Sequence, residues 1–216
     1  MKKYVFLTLA LVLAASGAVA TGVHIVGGTP NSANTYPFYG GFSAFRWQTM
    51  WFQTELREAG PVIKIEWQMR SASGGQGGTY RNCDILLCIT SLWAVTSTFA
   101  NNYAGNTPVN VFKGTYVLPA SSANQWVTIV EPKNFTYNNT GNLLIEVSWQ
   151  GATAGTNFFK YRSTSTPPSP GRVWNTKSKT ATTGTVSARY HQYGRITIGY
   201  VGVEATSLGR VKSLFR

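Results

Sequence analysis

The sequence predicts an all-β protein that folds as a single, jelly-roll-like β-sandwich, with an extended N-terminal segment and a short C-terminal tail. Two observations carry this prediction. About ten short runs of apolar and β-branched residues are separated by Gly, Pro and Asn, and no long segment has the period of an amphipathic helix. Aromatic residues make up 13% of the 216-residue chain, which is typical of a packed core and distinguishes the chain from a disordered one.

The clearest strand candidate lies within the stretch from Trp126 to Trp149. Apolar side chains at 143, 145, 147 and 149 share one face, and Glu146 lies in the centre of the other face. This period of two predicts a strand with one buried and one solvated face. The preceding connector is rich in Pro, Asn and Gly, which favour chain reversal. We therefore expect the strands at the two ends of this stretch to pair with each other.

Further strand candidates cover most of the remaining chain. They comprise Val23 to Val26, Val62 to Arg70, Val109 to Val117, Phe158 to Arg162, Arg172 to Asn175, Ser187 to Tyr190 and Arg195 to Val203. The segment from Arg46 to Leu56 fits either a strand or an amphipathic helix. The segment from Thr90 to Tyr103 is turn-like, with room for one helical turn.

The first 20 residues have the pattern of a secretory signal peptide. Two lysines precede an apolar run that is too short to span a bilayer, and the small residues Ala18, Val19 and Ala20 follow it. We predict cleavage after Ala20, a secreted or cell-surface location, and no membrane span in the mature chain. The predicted parts are a signal peptide at 1–20, an extended segment at 21–37, a β-sandwich domain at 38–205 and a basic amphipathic tail at 206–216.

The two cysteines are predicted to be buried free thiols. Cys83 and Cys88 lie five residues apart in a run that has the pattern of a strand, where five residues span about 16 Å and odd spacing places the side chains on opposite faces. A disulfide needs Cα atoms about 5.5 Å apart, so a bridge within the chain would require a turn here. A bridge between two chains is the open alternative.

The charge balance predicts a preference for anionic partners. The formal net charge is +12, and no acid occurs between Glu146 and Glu204. A field of one sign attracts anions, and an exported protein would meet anionic polysaccharide rather than nucleic acid. The predicted anion contacts are Lys160, Arg162, Arg172, Lys177 and Lys179. Ordinary solvated surface is the alternative for all five.

The inventory of reactive side chains argues against an enzyme. The chain has seven acids and two histidines, and the one close acidic pair, Glu55 with Glu58, is explained by a solvated turn before Gly60. The IVGG segment at 25–28 is similar to the mature amino terminus of trypsin-like proteases, but no triad motif accompanies it. We therefore expect no catalytic site, no metal site and no cofactor.

Four segments carry a family resemblance: RWQTMWFQTEL, AGPVIKIEW, TYRNCDILLCIT and FTYNNTGNLLIEVSW. In this order they resemble a β-sandwich domain that recurs in secreted surface proteins of Gram-negative bacteria, and they cover about Arg46 to Trp149. The resemblance implies an extracellular, non-catalytic module of adhesive, carbohydrate-binding or assembly type.

The favoured function is a self-associating structural subunit of a surface filament or layer, with further copies of the same chain as partners. The extended apolar residues Val23, His24, Ile25 and Val26 would add a strand to the sheet of a neighbouring copy, because an extended segment offers main-chain hydrogen bonds to any open sheet edge. In a monomer, the same residues would form an edge strand or a frayed end.

The alternative function is a carbohydrate-binding or adhesive module that recognises a cell-surface glycan, including an anionic one. An exposed aromatic ring offers a flat apolar face to a sugar ring while its polar tip forms a hydrogen bond. The predicted glycan contacts are Trp93, Trp174 and Tyr190, because they lie near predicted loops. Core packing is the competing explanation for each of them.

Overall fold

The computed structural model describes residues 21–153, 155–164 and 169–199, and its architecture is all-β, as predicted. The strands in these residues are β1 (Thr21–Val26), β2 (Ser32–Asn34), β3 (Ala44–Trp51), β4 (Gly60–Gln68), β5 (Gly78–Thr90), β6 (Val109–Leu118), β7 (Trp126–Val130), β8 (Thr136–Tyr137), β9 (Asn142–Gln150), β10 (Phe159–Ser163), β11 (Arg172–Asn175), β12 (Thr185–Ser187), β13 (Tyr190–Gln192) and β14 (Gly194–Gly199). A short helix, α1 (Gln53–Leu56), and a 3₁₀-helix (Phe99–Tyr103) complete the described part.

The predicted signal peptide at 1–20 and the predicted tail at 206–216 lie outside the described residues. Within the described ranges, the search for a helix of sufficient length and apolarity to cross a membrane finds none.

Three antiparallel sheets arrange the strands. The largest has the order β12-β11-β3-β9-β5-β6, the second has β1-β14-β4-β7 with β8 also paired to β4, and a small sheet has β13-β10-β2. The two larger sheets enclose one hydrophobic core, in which Trp47 of β3 meets Trp67 of β4 with ring centroids 5.4 Å apart. Burial of large apolar side chains, at about 1.5–3 kcal/mol each, holds the two sheets together.

Strand β9 is buried on both faces, whereas its alternation predicts one solvated face. Ile145 belongs to the core between the sheets, and Leu144 belongs to a second apolar cluster on the outer face of the six-stranded sheet. Val95 and Phe99, from the connector between β5 and β6, also belong to this second cluster. The prediction of a solvated face is therefore wrong, and Glu146 lies buried beside this cover.

The predicted pairing of the two ends of the Trp126 to Trp149 stretch is also wrong. Strand β7 pairs with β4 in the second sheet, and β9 pairs with β3 and β5 in the largest sheet. The turn residues between them let the chain cross from one sheet to the other. A turn-rich connector permits chain reversal, but it does not determine which strand becomes the partner.

Other local predictions differ from the structure in instructive ways. The segment at 46–56 contains both of its alternatives, because β3 ends at Trp51 and α1 follows. The predicted strand at 187–190 is instead interrupted by a turn, because it runs from the last residue of β12 to the first residue of β13. In β4, alternation predicts that Ile63 lies on the same apolar face as Ile65 and Trp67. Ile63 is instead 41% exposed while Val62 is buried, because a register shift against β14 displaces the alternation by one residue.

The prediction that both thiols are buried is confirmed, and no disulfide joins them within the described part of the chain. Cys83 and Cys88 are both free and buried, and they lie on opposite faces of β5, since Cys83 joins the core between the sheets and Cys88 joins the outer cluster. Burial raises the pKa of Cys83 to about 12 and that of Cys88 to about 11. Both thiols are therefore protonated and unreactive at neutral pH.

Candidate functional site

The segment predicted to mediate assembly forms β1, at one edge of the second sheet. All six of its residues pair with β14, from Thr21 opposite Gly199 to Val26 opposite Gly194. The other side of β1 has no strand neighbour among the described residues. The predicted extended segment at 21–37 is thus part of the sheets, because β2 also pairs with β10.

The side chains of β1 divide into an inner and an outer set. Val26 is fully buried in the core, and His24 lies opposite the buried Ile196, so both point inward. Val23 and Ile25 point to the other face and are 57% and 52% exposed. The open edge of the sheet therefore carries two exposed β-branched side chains one strand repeat apart.

Two carboxylates from α1 and the loop after it hold β1 in place. Glu55 Oε1 accepts a hydrogen bond from the Gly27 N–H at 3.0 Å, and Glu55 Oε2 lies 3.2 Å from His191 Nε2. Glu58 Oε2 lies 3.0 Å from His24 Nε2. The close acidic pair, which the sequence analysis explains as a solvated turn, thus meets both histidines of the chain. Sequence reasoning missed this cluster, and the only signal for it was the spacing of the two acids.

The electrostatics of this cluster favour an ionised Glu55. Burial by itself would raise the pKa of Glu55, but the contact with His191 and the hydrogen bonds from the Gly27 and Phe52 N–H groups lower it overall. Among the described residues, no group of three or more His, Cys, Asp or Glu side chains is arranged to hold a metal ion. The arrangement can anchor a strand.

The opposite side of the sandwich has a second open edge, formed by β6 and β7. A groove of about 640 Å³ lies there, with Val111, Val117 and Ile129 among its lining residues. Val117 is 66% exposed. The Tyr116 hydroxyl donates a hydrogen bond to the Thr128 carbonyl at 3.2 Å and so links the two sheets. Strands β1 and β7 are the two edges of one sheet.

Three residues from the two binding hypotheses meet in a single cluster. The Arg172 guanidinium carbon lies 4.0 Å from the ring centre of Tyr190 and 5.1 Å from that of Trp174, and Tyr36 and Tyr161 complete the surrounding rings. Arg172 is only 7% exposed, and no carboxylate of the described residues forms an ion pair with it. Burial lowers its pKa to about 10. The rings of Trp174 and Tyr190 thus face a cation of their own chain.

The other predicted anion contacts lie on β10 and in the loop after β11. Lys179 forms an ion pair with Asp84 at 2.6 Å, and Lys160 Nζ donates hydrogen bonds to Gln68 and Asn124. Arg162 on β10 and Lys177 in the loop after β11 are exposed and belong to different sheets. Of the predicted glycan contacts, Trp93 is the one with a largely exposed ring, at 63%.

Comparisons of the chain with protein-family models, with characterised proteins and with solved structures find no match. The resemblance to a β-sandwich domain of secreted surface proteins therefore stays a prediction, and the arguments for function rest on the geometry alone.

Proposed function

We propose that the protein is an extracellular, non-enzymatic structural subunit that self-associates through the edges of its β-sheets, as in a surface filament or layer. The architecture that we propose for the subunit is a single, jelly-roll-like sandwich. It is supported by hydrogen-bonded neighbours that lie far apart in the sequence, such as β3 with β9 and β4 with β14, as Greek-key connections require.

The observation that carries the proposal is the outer edge of β1, which has no strand neighbour among the described residues. Soluble proteins protect their edge strands with charged side chains, proline, bulges or very short strands. Strand β6 contains Lys113 and two register shifts in its pairing, and β12 has only three residues. Strand β1 has six residues, contains no Lys, Arg, Asp, Glu or Pro, and pairs without a register shift.

Pairing of β1 with β7 of the next copy would continue the second sheet from one subunit to another. Because β1 and β7 are different edges, this contact is heterologous, and repeated heterologous contacts build an open filament unless the rotation closes a ring. The groove beside β7 offers apolar surface for the incoming strand to cover, including Val117. Main-chain hydrogen bonds would supply the direction and the register of the contact.

The size of the purified protein tests the proposal. Light scattering over a wide range of concentrations, together with negative-stain electron microscopy, should show assemblies that grow with concentration. A double variant, Val23→Lys with Ile25→Lys, places two charges on the outer edge and should remain monomeric. Its thermal unfolding temperature should match that of the wild-type monomer, because both side chains are exposed in the subunit.

A matched control separates edge pairing from general surface stickiness. Ile63 is also an exposed apolar residue of the second sheet, but it lies on the interior strand β4, so Ile63→Lys should assemble like the wild-type protein. A strictly monomeric wild-type protein would contradict the proposal. Closed dimers that do not grow with concentration would contradict the head-to-tail arrangement and indicate pairing of β1 with β1.

A further inference from the structure

A cleft of about 420 Å³ lies next to the groove beside β7, with which it shares the lining residue Asn134. It is lined by the end of β5, the residues before β6 and the segment from Asn134 to Gly141 that leads into β9. Its volume falls within the range of small-molecule sites, about 300–1,000 Å³.

The lining of this cleft is polar but uncharged. The set of lining residues includes the polar Ser91, Asn106, Thr107, Asn134 and Thr136 and the apolar Val109. Hydroxyl and amide groups thus alternate with small apolar surfaces, and the set contains no Lys, Arg, Asp or Glu. In a chain with a net charge of +12, such a cleft offers hydrogen bonds to a ligand without attracting it by charge.

Several of these polar groups are available for a ligand. The side chains of Ser91, Thr107, Asn134 and Thr136 are exposed, and the structure shows no hydrogen bond from them to another described residue. By contrast, Asn106 Nδ2 donates to the Ile89 and Tyr103 carbonyls at 3.0 and 3.2 Å and so fixes one wall. The cleft therefore combines a built wall with unused donors and acceptors.

An exposed aromatic residue, Trp93, lies close in the chain to the lining of the cleft. Trp93 follows the lining residue Ser91 by two positions, so their Cα atoms lie within about 7 Å. Its ring centroid is 5.7 Å from that of Phe52, which supports one side of an otherwise exposed indole. The buried amide of Asn142 donates to the Leu92 carbonyl at 2.7 Å and holds this loop against β9. The backbone of this loop is thus anchored beside the cleft, and Phe52 contacts one side of the ring.

We propose that this cleft is a binding site for a neutral saccharide, with Trp93 as the stacking platform at its rim. A sugar presents many hydroxyl groups and an apolar ring face, which match uncharged donors and acceptors beside an aromatic surface. The absence of charged lining residues selects against uronic acids and sulfated sugars, because a bound anion would find no cation inside the cleft. This inference does not depend on self-association.

A glycan array of neutral and anionic oligosaccharides, read with the purified full chain, provides the first test. Binding to neutral oligosaccharides such as those of glucose, mannose or N-acetylglucosamine is expected, and added salt should leave it unchanged. Titration calorimetry with the best neutral ligand should then show about a tenfold loss of affinity for Trp93→Ala and a similar loss for Thr107→Val.

The control variant is Asn101→Ala, which removes an exposed amide of the 3₁₀-helix that lies outside the cleft and should bind like the wild-type protein. All three variants change exposed residues, so circular dichroism and thermal unfolding should match the wild type. No neutral ligand on the array, binding only to anionic sugars with a strong salt dependence, or full affinity in both cleft variants would each overturn the proposal.

Discussion

Replacement of Glu146 by glutamine should cost about 3 kcal/mol of unfolding free energy. The buried carboxylate accepts hydrogen bonds from Arg46 Nε and Nη2 at 3.0 Å each, from Gln48 Nε2 at 2.6 Å and from the Tyr103 hydroxyl at 2.6 Å. Glutamine keeps the shape but removes the charge, and it turns one acceptor atom into a donor that faces other donors. Breaking a buried ion pair on one side costs about 3–5 kcal/mol.

The lower end of this range applies, because Arg46 keeps other partners. Its Nη1 donates to the Ala181 carbonyl at 2.8 Å, and its guanidinium lies 4.5 Å from the ring centre of Phe99. Urea unfolding followed by tryptophan fluorescence measures the loss, with an unchanged denaturant slope as the sign that both states keep their compactness. Tyr103→Phe removes one of the four hydrogen bonds and should cost about 1 kcal/mol.

The control is Glu131→Gln, which alters an exposed acid and should change stability by less than about 0.5 kcal/mol. If Glu146→Gln lowers the unfolding free energy no more than this control does, then the hydrogen bonds around Glu146 do not stabilise the fold as their geometry implies. A combined Arg46→Met and Glu146→Leu variant should be more stable than Glu146→Gln alone, because it leaves no uncompensated charge.

Three further predictions concern the other buried groups. Arg172→Lys should lower the unfolding free energy by about 2 kcal/mol, more than Arg172→Met does in the same urea assay, because an ammonium group is more strongly hydrated and cannot lie flat against the surrounding rings. The pKa of Glu55 is lowered in the folded protein. The stability that ionised Glu55 contributes is therefore complete above the unfolded pKa of about 4.3 and is lost as the pH falls through the folded pKa. Between pH 6 and pH 3 the thermal unfolding temperature should fall more steeply for the wild type than for Glu55→Gln, and parallel curves would refute this. At pH 8 a thiol reagent should leave Cys83 and Cys88 unmodified in the native protein and modify both in urea, because burial raises both pKa values; rapid native labelling would show that the burial is wrong.

Strand positions could be predicted because alternation and turn residues are local properties of the sequence. The bounds of β11, Arg172–Asn175, match the prediction, and the prediction for β6 ends one residue before Leu118. Strand partners could not be predicted in this way. Arg46 and Glu146 lie 100 residues apart in the chain, and only the pairing of β3 with β9 brings them together. Glu146 is buried because the connector between β5 and β6 covers the outer face of the largest sheet. The turn-like sequence of this connector does not indicate which face of the sheet it covers.

For the candidate sites too, the sequence indicates which residues are candidates but not which of them lie together in the fold. The sequence analysis predicts Trp174 and Tyr190 as glycan contacts and Arg172 as an anion contact, in two separate hypotheses. Their meeting requires β11 and β13 to converge from different sheets, and no local pattern encodes that. The exposed side chains of Val23 and Ile25 could be derived from alternation once one face of β1 was known to be buried. The contact between Glu58 and His24 on β1 could not be derived from alternation, since the two residues are 34 positions apart.

The groove beside β7 and the cleft share one lining residue, so the effect of binding at one on the affinity of the other can be measured. Asn134 lines both the groove beside β7 and the saccharide cleft, so a strand from a neighbouring copy in the groove would border a ligand in the cleft. Where occupation of one of these neighbouring surfaces changes the affinity of the other, linkage requires the change to be equal in both directions. If a saccharide strengthens self-association by some factor, then assembly must strengthen saccharide binding by the same factor. Asn134→Ala should reduce this factor, whereas Thr107→Val, which changes the cleft alone, should weaken binding without altering assembly in the absence of sugar.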